Sequence, residues 1–339
     1  MPLPLATPPA QHESCVSAPA FHLWSRAIPA PTPAPRPLRA PAAVRLWHLT
    51  SLDAPTVAVV WSLAFAWAAG VSLPLWVPVL LALVTWSVYI LDRLLDARTG
   101  LRAHQFSQLR LRHTFHWRHR RVFLPIAAAS AIAAAAILLV RLPAFARAPD
   151  SVLAAATLAY FSGVHSRRRV PAPPGRERLA PFPTAPFLSK EFLVGLLFTL
   201  GCAVPAFTRL QVFESSAAVP FAALPFAAML ACFAALAWLN CHAIARWEAR
   251  SAAPRTGILT RTGIHFRACL LALAALLLAF LFSAAHPRFG LLLAAAACSA
   301  LLLAVLDRQR RRISPLALRA AADLVLLAPA ILLFLRFPA

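Results

Sequence analysis

Nine predominantly apolar runs limit what this 339-residue chain can fold into more than any other feature. They fall near Ala54 to Val71, Leu75 to Leu91, Val122 to Val140, Ser151 to His165, Phe192 to Phe207, Val219 to Leu239, Phe266 to Ser283, Leu291 to Leu306 and Ala320 to Leu335. A helix needs about 17–25 such residues to cross the hydrocarbon of a bilayer. Within hydrocarbon every backbone N–H and C=O must be satisfied inside the protein, and a helix does this within one segment. The runs therefore predict an all-α, polytopic bundle of about nine transmembrane helices. The fourth run is the shortest and ends in polar residues. Hydrophobic residues make up 60% of the chain and charged residues 13%, a balance foreign to soluble domains.

The charge is strongly basic, at +22, and its distribution matters more than its size. Seven basic residues lie between the second and third runs, from Arg98 to Arg121, and six between the fourth and fifth, from Arg167 to Lys190. Five lie between the sixth and seventh, and five between the eighth and ninth. The odd-numbered loops hold only Arg141, Arg147, Arg209 and Arg288. By the positive-inside rule the even loops are cytoplasmic, the N-terminus is inside and the C-terminus outside, as in a bacterial inner membrane protein. The basic loops then meet anionic lipid head groups. Nucleic acid is not expected as a partner, because no soluble basic domain carries the charge.

Residues 1–45 form a Pro/Ala-rich extension with Pro-Ala-Pro-Thr-Pro-Ala-Pro-Arg-Pro at 29–37. It lacks the apolar stretch of a signal peptide and too little of it is apolar to fold, so it reads as a disordered tail ahead of a domain over 46–339. The six cysteines are scattered, mostly inside apolar runs, with no ligand spacing. They read as small buried hydrophobes.

Only eleven acidic residues exist. Asp53 and Asp307 stand at helix ends, where a cap or an ion pair with a nearby arginine accounts for them. Glu13 lies in the tail and Asp150, Glu177 and Glu214 in loops, so Asp92, Asp96, Glu191, Glu248 and Asp323 remain, and ionisable residues within spanning segments are functional candidates. Asp92 and Asp96 lie one turn apart in Leu91-Asp-Arg-Leu-Leu-Asp96, just before Gly100. Like charges at i and i+4 repel, and the helix dipole disfavours anions in a last turn. Mg²⁺ relieves both penalties, and it is commonly held by one or two carboxylates together with substrate phosphates. Pairing with Arg93 or Arg98 is the alternative.

A second constellation is Trp238-Leu-Asn-Cys-His-Ala-Ile-Ala-Arg-Trp-Glu248, in which Asn240, Ile244 and Glu248 share a helix face at four-residue steps. Ion pairing of Glu248 with Arg246 or Arg250 is its simpler explanation. Lys190 is the single lysine beside 32 arginines. It is either a point charge for a phosphate or a residue that snorkels to the interface. His113, His116 and His119 sit among five arginines and read as a solvated, lipid-facing basic segment, some of whose arginines could guide a diphosphate.

With these motifs the region from about residue 45 to 337 resembles the UbiA-type membrane prenyltransferase superfamily. The resemblance rests on the nine runs, Asp92-Arg93-Leu94-Leu95-Asp96, Lys190 and the polar motif over 238–248. It implies transfer of a prenyl group from a prenyl diphosphate to a lipophilic, often aromatic, acceptor with Mg²⁺. Asp92 and Asp96 would form the first metal motif, Asn240 and Glu248 the second, and Lys190 and Arg93 would contact substrate. Val88 stands where the family usually has Asn, and the second motif has Asn240 and Glu248 in place of aspartates. A noncatalytic isoprenoid-binding relative is therefore the alternative within the family. A transporter would place its rare charges near the midplane on broken helices, whereas here they gather at one end.

The topology is tested by labelling single cysteines introduced at Gln108 and at Ser215 in a cysteine-free background. They are expected to react from opposite sides of the membrane. Labelling of both from one side would refute the inside/outside assignment.

Overall fold

The apolar runs fall on helices, the last of them broken into two. The computed structural model describes residues 37–102, 110–167, 190–214, 223–252 and 263–336. The helices are α1 (Ala42–Leu49), α2 (Asp53–Ala69), α3 (Trp76–Arg102), α4 (Leu111–Arg118), α5 (Arg120–Arg141) and α6 (Ala144–Arg167). They continue with α7 (Lys190–Glu214), α8 (Ala223–Ala252), α9 (Gly263–Ser283), α10 (Pro287–Gln309), α11 (Pro315–Leu324) and α12 (Ala328–Arg336). No strand occurs among the described residues, only an isolated bridge between Leu38 and Ile313.

Seven membrane-length apolar helical segments are present among the described residues: α3, α5, α7, α8, α9, α10 and the α11–α12 pair. The protein is an integral membrane protein by this measure. The expectation of nine spans is met only in part. Helix α2 has 17 residues and makes an eighth span only together with α1, which meets it at 88°. Helix α6, the shortest run in the sequence, is not apolar enough over membrane length. Residues 1–36 of the expected tail lie outside the described residues. Residues 42–45, counted with the tail by composition, belong to α1.

The bundle is built outward from α2. Trp61, Phe65 and Phe233 are fully buried, with the Trp61 and Phe233 rings stacked at 3.8 Å. The Trp61 indole donates to the Leu326 carbonyl at 2.8 Å. That carbonyl lies in a single 3₁₀ turn, Val325–Leu327, which interrupts the last span. Pro329 follows closely, and having no N–H it cannot donate to the Val325 carbonyl four residues back, which weakens the helix there. The break therefore gives a buried indole its acceptor.

Small residues set the helix separations. The buried stripe of α9 is Ile264, Ala268, Ala272, Ala275, Ala279 and Phe282, at the three- and four-residue spacing of a membrane helix interface. Gly290 of α10 packs against it, where an added methyl would lie 3.0 Å from the Ala279 carbonyl oxygen. On the opposite side of α9, Leu270, Leu273, Leu277, Phe280 and Leu281 are exposed. An apolar outer face is what lipid as solvent requires.

The tightest contact joins α7 to α8. A methyl group at Gly195 would lie 2.7 Å from the backbone nitrogen of Trp238 and 2.9 Å from its Cα. Backbone cannot move aside as a flexible side chain does. Gly195→Ala is therefore expected to destabilise the protein by about 1–3 kcal/mol, the usual penalty for overpacking. Thermal unfolding in detergent measures it, with Gly201→Ala, which has open space, as the neutral control.

Candidate functional site

Ion pairs among acidic and basic side chains of α1, α2, α3, α4, α8 and α11 gather at one end of the bundle. The end of α3, all of α4, the C-terminal part of α8, the start of α11 and the α1–α2 corner meet there. Two backbone features shape this end. Leu38 is pinned to the turn before α11 by Leu38 N–H to the Arg312 carbonyl (2.8 Å) and Ser314 N–H to the Leu38 carbonyl (2.9 Å). Ser51 adopts φ 57°, a left-handed conformation that non-glycine residues rarely take. It turns the chain sharply, so that His48 at the end of α1 faces Asp53 at the start of α2.

His48 and Asp53 are both buried, with His48 Nδ1 2.7 Å from Asp53 Oδ2 and 3.6 Å from Asp323 Oδ2. Asp53 also accepts the Ala54 N–H at 2.9 Å, and its position in the first turn of α2 suits a negative charge. Asn240 joins the group from α8, its Nδ2 donating to Asp323 Oδ1 at 3.3 Å. Thus Asn240 is brought to Asp323, which His48 also faces. Sequence reasoning missed His48 altogether and gave Asp53 a local role. Their spacing across a tight corner carries no helical signature that could have shown them.

Glu248 lies in a different set of contacts. Its carboxylate is 2.6 Å from Arg319 Nη1, 2.8 Å from Arg110 Nη1 and 3.5 Å from Arg112 Nη1. The ion pairing expected of Glu248 is present, with these arginines as its partners. All three are distant in sequence, which is why local spacing pointed to Arg246 or Arg250 instead.

Asp92 and Asp96 occupy the flank of α3. The residues buried on the second half of that helix are Ile90, Arg93, Leu94 and Ala97. Asp92 pairs with Arg93 at 3.3 Å, as the simpler sequence reading anticipated. Arg93 itself lies 5.4 Å from the centre of the Tyr89 ring. Asp96 Oδ2 faces His113 Nδ1 at 3.9 Å. His113 Nε2 accepts from Arg112 Nε at 3.0 Å, so the imidazole carries its proton on Nδ1, toward Asp96. A chain of contacts Asp96, His113, Arg112, Glu248 thereby links the two motifs through α4. Lys190 is exposed at the first turn of α7, and among the described residues no hydrogen bond or ion pair ties it to this cluster.

Helix α4 departs from the solvated segment that its composition suggests. Arg112, His113 and His116 are buried. The carboxylates of α3 and α8 supply what that like-charged segment lacks by itself, and this draws its inner face into the bundle. Asp307, by contrast, has the modest role expected of it, accepting from Trp247 Nε1 at 2.8 Å and pairing with Arg310 at 2.7 Å.

Fold and cluster together define the class of protein: an integral membrane helical bundle with a buried ionic network at one end. No family model, no curated protein and no solved structure matches this chain.

His116 ties α4 to the α1–α2 corner. Its Nδ1 lies 2.9 Å from the Arg112 carbonyl and its Nε2 3.4 Å from Ser51 Oγ. The ring therefore donates from Nδ1 and accepts the serine hydroxyl at Nε2, as a neutral imidazole. Burial, aided by the positive charge of Arg93, lowers its pKa from 6.5 to about 4. Because the folded pKa is depressed, the unfolded chain binds the proton more readily between these values. The contribution is complete above about pH 6.5 and is lost as pH falls toward 4. Thermal stability in detergent is expected to drop between pH 7 and pH 5, and His116→Gln is expected to flatten that dependence.

Proposed function

We propose that this protein is a membrane prenyltransferase that uses Mg²⁺ and moves a prenyl group from an isoprenoid diphosphate to a lipophilic acceptor. The observation that carries this reading is that Arg93 and Arg319 each keep a buried guanidinium Nε–H without an acceptor. They do so at the end of the bundle where Asp92 and Asp96 stand. Buried donors of this kind are costly unless an acceptor arrives, and guanidinium groups suit phosphate oxygens well. A diphosphate supplies the acceptor and the negative charge.

Two of the expected ligands fit Mg²⁺. Asp92 and Asp96 are partly exposed carboxylates one turn apart, a donor set that hard cations accept when substrate phosphates complete it. Glu248 fits poorly, since its oxygens are engaged by arginines. When bound, the metal ion would neutralise charge that grows on the diphosphate as the allylic bond ionises. Arg93 and Arg319 stabilise the same charge from the protein side, in a setting where water cannot weaken them. The prenyl chain lies among the apolar helices, and exclusion of water there protects a carbocation from quenching.

We propose that the polar end faces the cytoplasm, with the N-terminus on that side and the C-terminus outside, because arginine-rich segments lie around α4 and before α9 and α11. A separate basic cleft of about 680 Å³, lined by Arg267, Arg308, Arg310 and Arg311 among others, supports contact with anionic lipid head groups. The ion-paired state of Glu248 favours one second reading, a noncatalytic protein that binds isoprenoid diphosphate.

Purified protein in detergent, given labelled prenyl diphosphate, Mg²⁺ and a membrane extract, is expected to form a lipid-soluble product. Arg93→Met and Asp96→Asn should each lower turnover at least tenfold. Glu248→Gln should retain the Mg²⁺ dependence and lose about 3 kcal/mol of stability, because it strands partly buried arginines. Binding of the diphosphate without turnover would select the second reading. No binding at all would overturn both.

A further inference from the structure

At the corner between α1 and α2, His48 Nδ1 faces its paired carboxylates without a well-formed hydrogen bond, and beside it the Oδ1 of Asn240, on α8, has no hydrogen-bond partner. His48 is 2% exposed, and its Nδ1 makes no hydrogen bond of acceptable geometry despite the nearby carboxylates. Asn240 is 4% exposed, and its Oδ1 has no hydrogen-bond partner. The amide nitrogen of that side chain donates to Asp323, so the unsatisfied oxygen lies within a few ångströms of the same carboxylate. Buried polar groups left unpaired are rare in native proteins and call for an explanation.

These two atoms, beside the buried Asp53 and the partly buried Asp323, share a simple one. Ligand atoms of His48, Asp53 and Asp323 all lie within 4.8 Å of one another. The His48 nitrogen is 2.7 Å from one carboxylate oxygen and 3.6 Å from the other. Atoms bound at about 2.1 Å to a common ion stand roughly 3.0–3.4 Å apart, which these separations bracket. A divalent cation would also cancel the negative charge of Asp53, which is buried, and of Asp323, which is partly buried beside it.

We infer that His48, Asp53, Asp323 and the Asn240 carbonyl oxygen form a metal site for a first-row divalent transition cation. One imidazole nitrogen with three oxygens is the donor set of ions such as Mn²⁺, Fe²⁺ or Zn²⁺, and Mg²⁺ competes poorly for it because of the nitrogen. The site is separate from Asp92 and Asp96 and does not depend on the prenyl-transfer reading. Its construction is unusual in one respect. Two ligands come from one tight corner, held by the left-handed Ser51, and the other two from α8 and α11. Metal binding thereby ties the N-terminal corner to the bundle.

The test uses the full chain, purified in detergent, stripped with chelator and dialysed. Co²⁺ is titrated by visible absorption and Mn²⁺ by its free-ion EPR signal, both in millimolar Mg²⁺ so that Asp92 and Asp96 stay occupied. One equivalent is expected to bind, with thermal stabilisation of the protein. Affinity should fall at least tenfold in His48→Gln and in Asp323→Asn, and be unchanged in Asp92→Asn. Because either ligand variant could fold poorly, Asn240→Asp supplies a gain. It adds a carboxylate to the site and should raise Mn²⁺ affinity about tenfold. Absence of binding in the unmodified protein, equal affinity in all variants, or loss in Asp92→Asn alone would overturn the assignment. Failure of prenyl transfer with intact Co²⁺ binding would count against the function and leave this site standing.

Discussion

A charge buried among membrane helices must be answered by another charge or by a full set of hydrogen bonds, and the polar end of this bundle is organised by that requirement. Arg319 is matched by Glu248, Arg93 by Asp92, and His48 by Asp53 and Asp323. Each pair joins groups that local sequence keeps apart or places on different elements, except for Arg93 and Asp92. Removing one partner leaves the other stranded in a low-dielectric setting. The network thus fixes how α1, α4, α8 and α11 meet, while the apolar helices decide only that they pack.

The remainder of the structure follows a different rule. Lipid is as apolar as leucine, so burial of leucine gives no advantage over exposure, and close backbone approach decides the interfaces. Alanine and glycine therefore line the α9–α10 and α7–α8 contacts, and bulky residues such as Phe280 turn outward. The interior aromatic centre of Trp61, Phe65 and Phe233 is the exception. There an indole N–H needs an acceptor, and the 3₁₀ turn near the end of the chain provides it.

Stored conformational tension sits where the polar network begins. Ser51 takes a backbone conformation natural to glycine, and its hydroxyl contacts His116. A strained residue persists only where its surroundings over-determine it, and such residues concentrate at functional sites. Here the same residue turns the α1–α2 corner and anchors α4, so the strain serves the arrangement of the site rather than the packing of the bundle.

Much of the architecture was legible in the residues alone. The apolar runs marked every long helix, because hydrocarbon leaves the backbone no other solution. The acidic residues were few enough that Asp92, Asp96 and Glu248 stood out, and Asn240 shared a helix face with Glu248. Their partners were not legible. Whether Glu248 meets Arg250, two residues away, or Arg319, seventy-one away, depends on how α8 and α11 cross, and no periodicity encodes that. His48 carried no signal in the sequence, and Asp53 looked like a helix end. Only the fold could bring them against Asp323 and Asn240. The sequence by itself determined the helices and the solvent they face, since these depend on composition over a window. Which charge answers which was decided by tertiary structure, because ionic contacts depend on distances between side chains that the chain order leaves open.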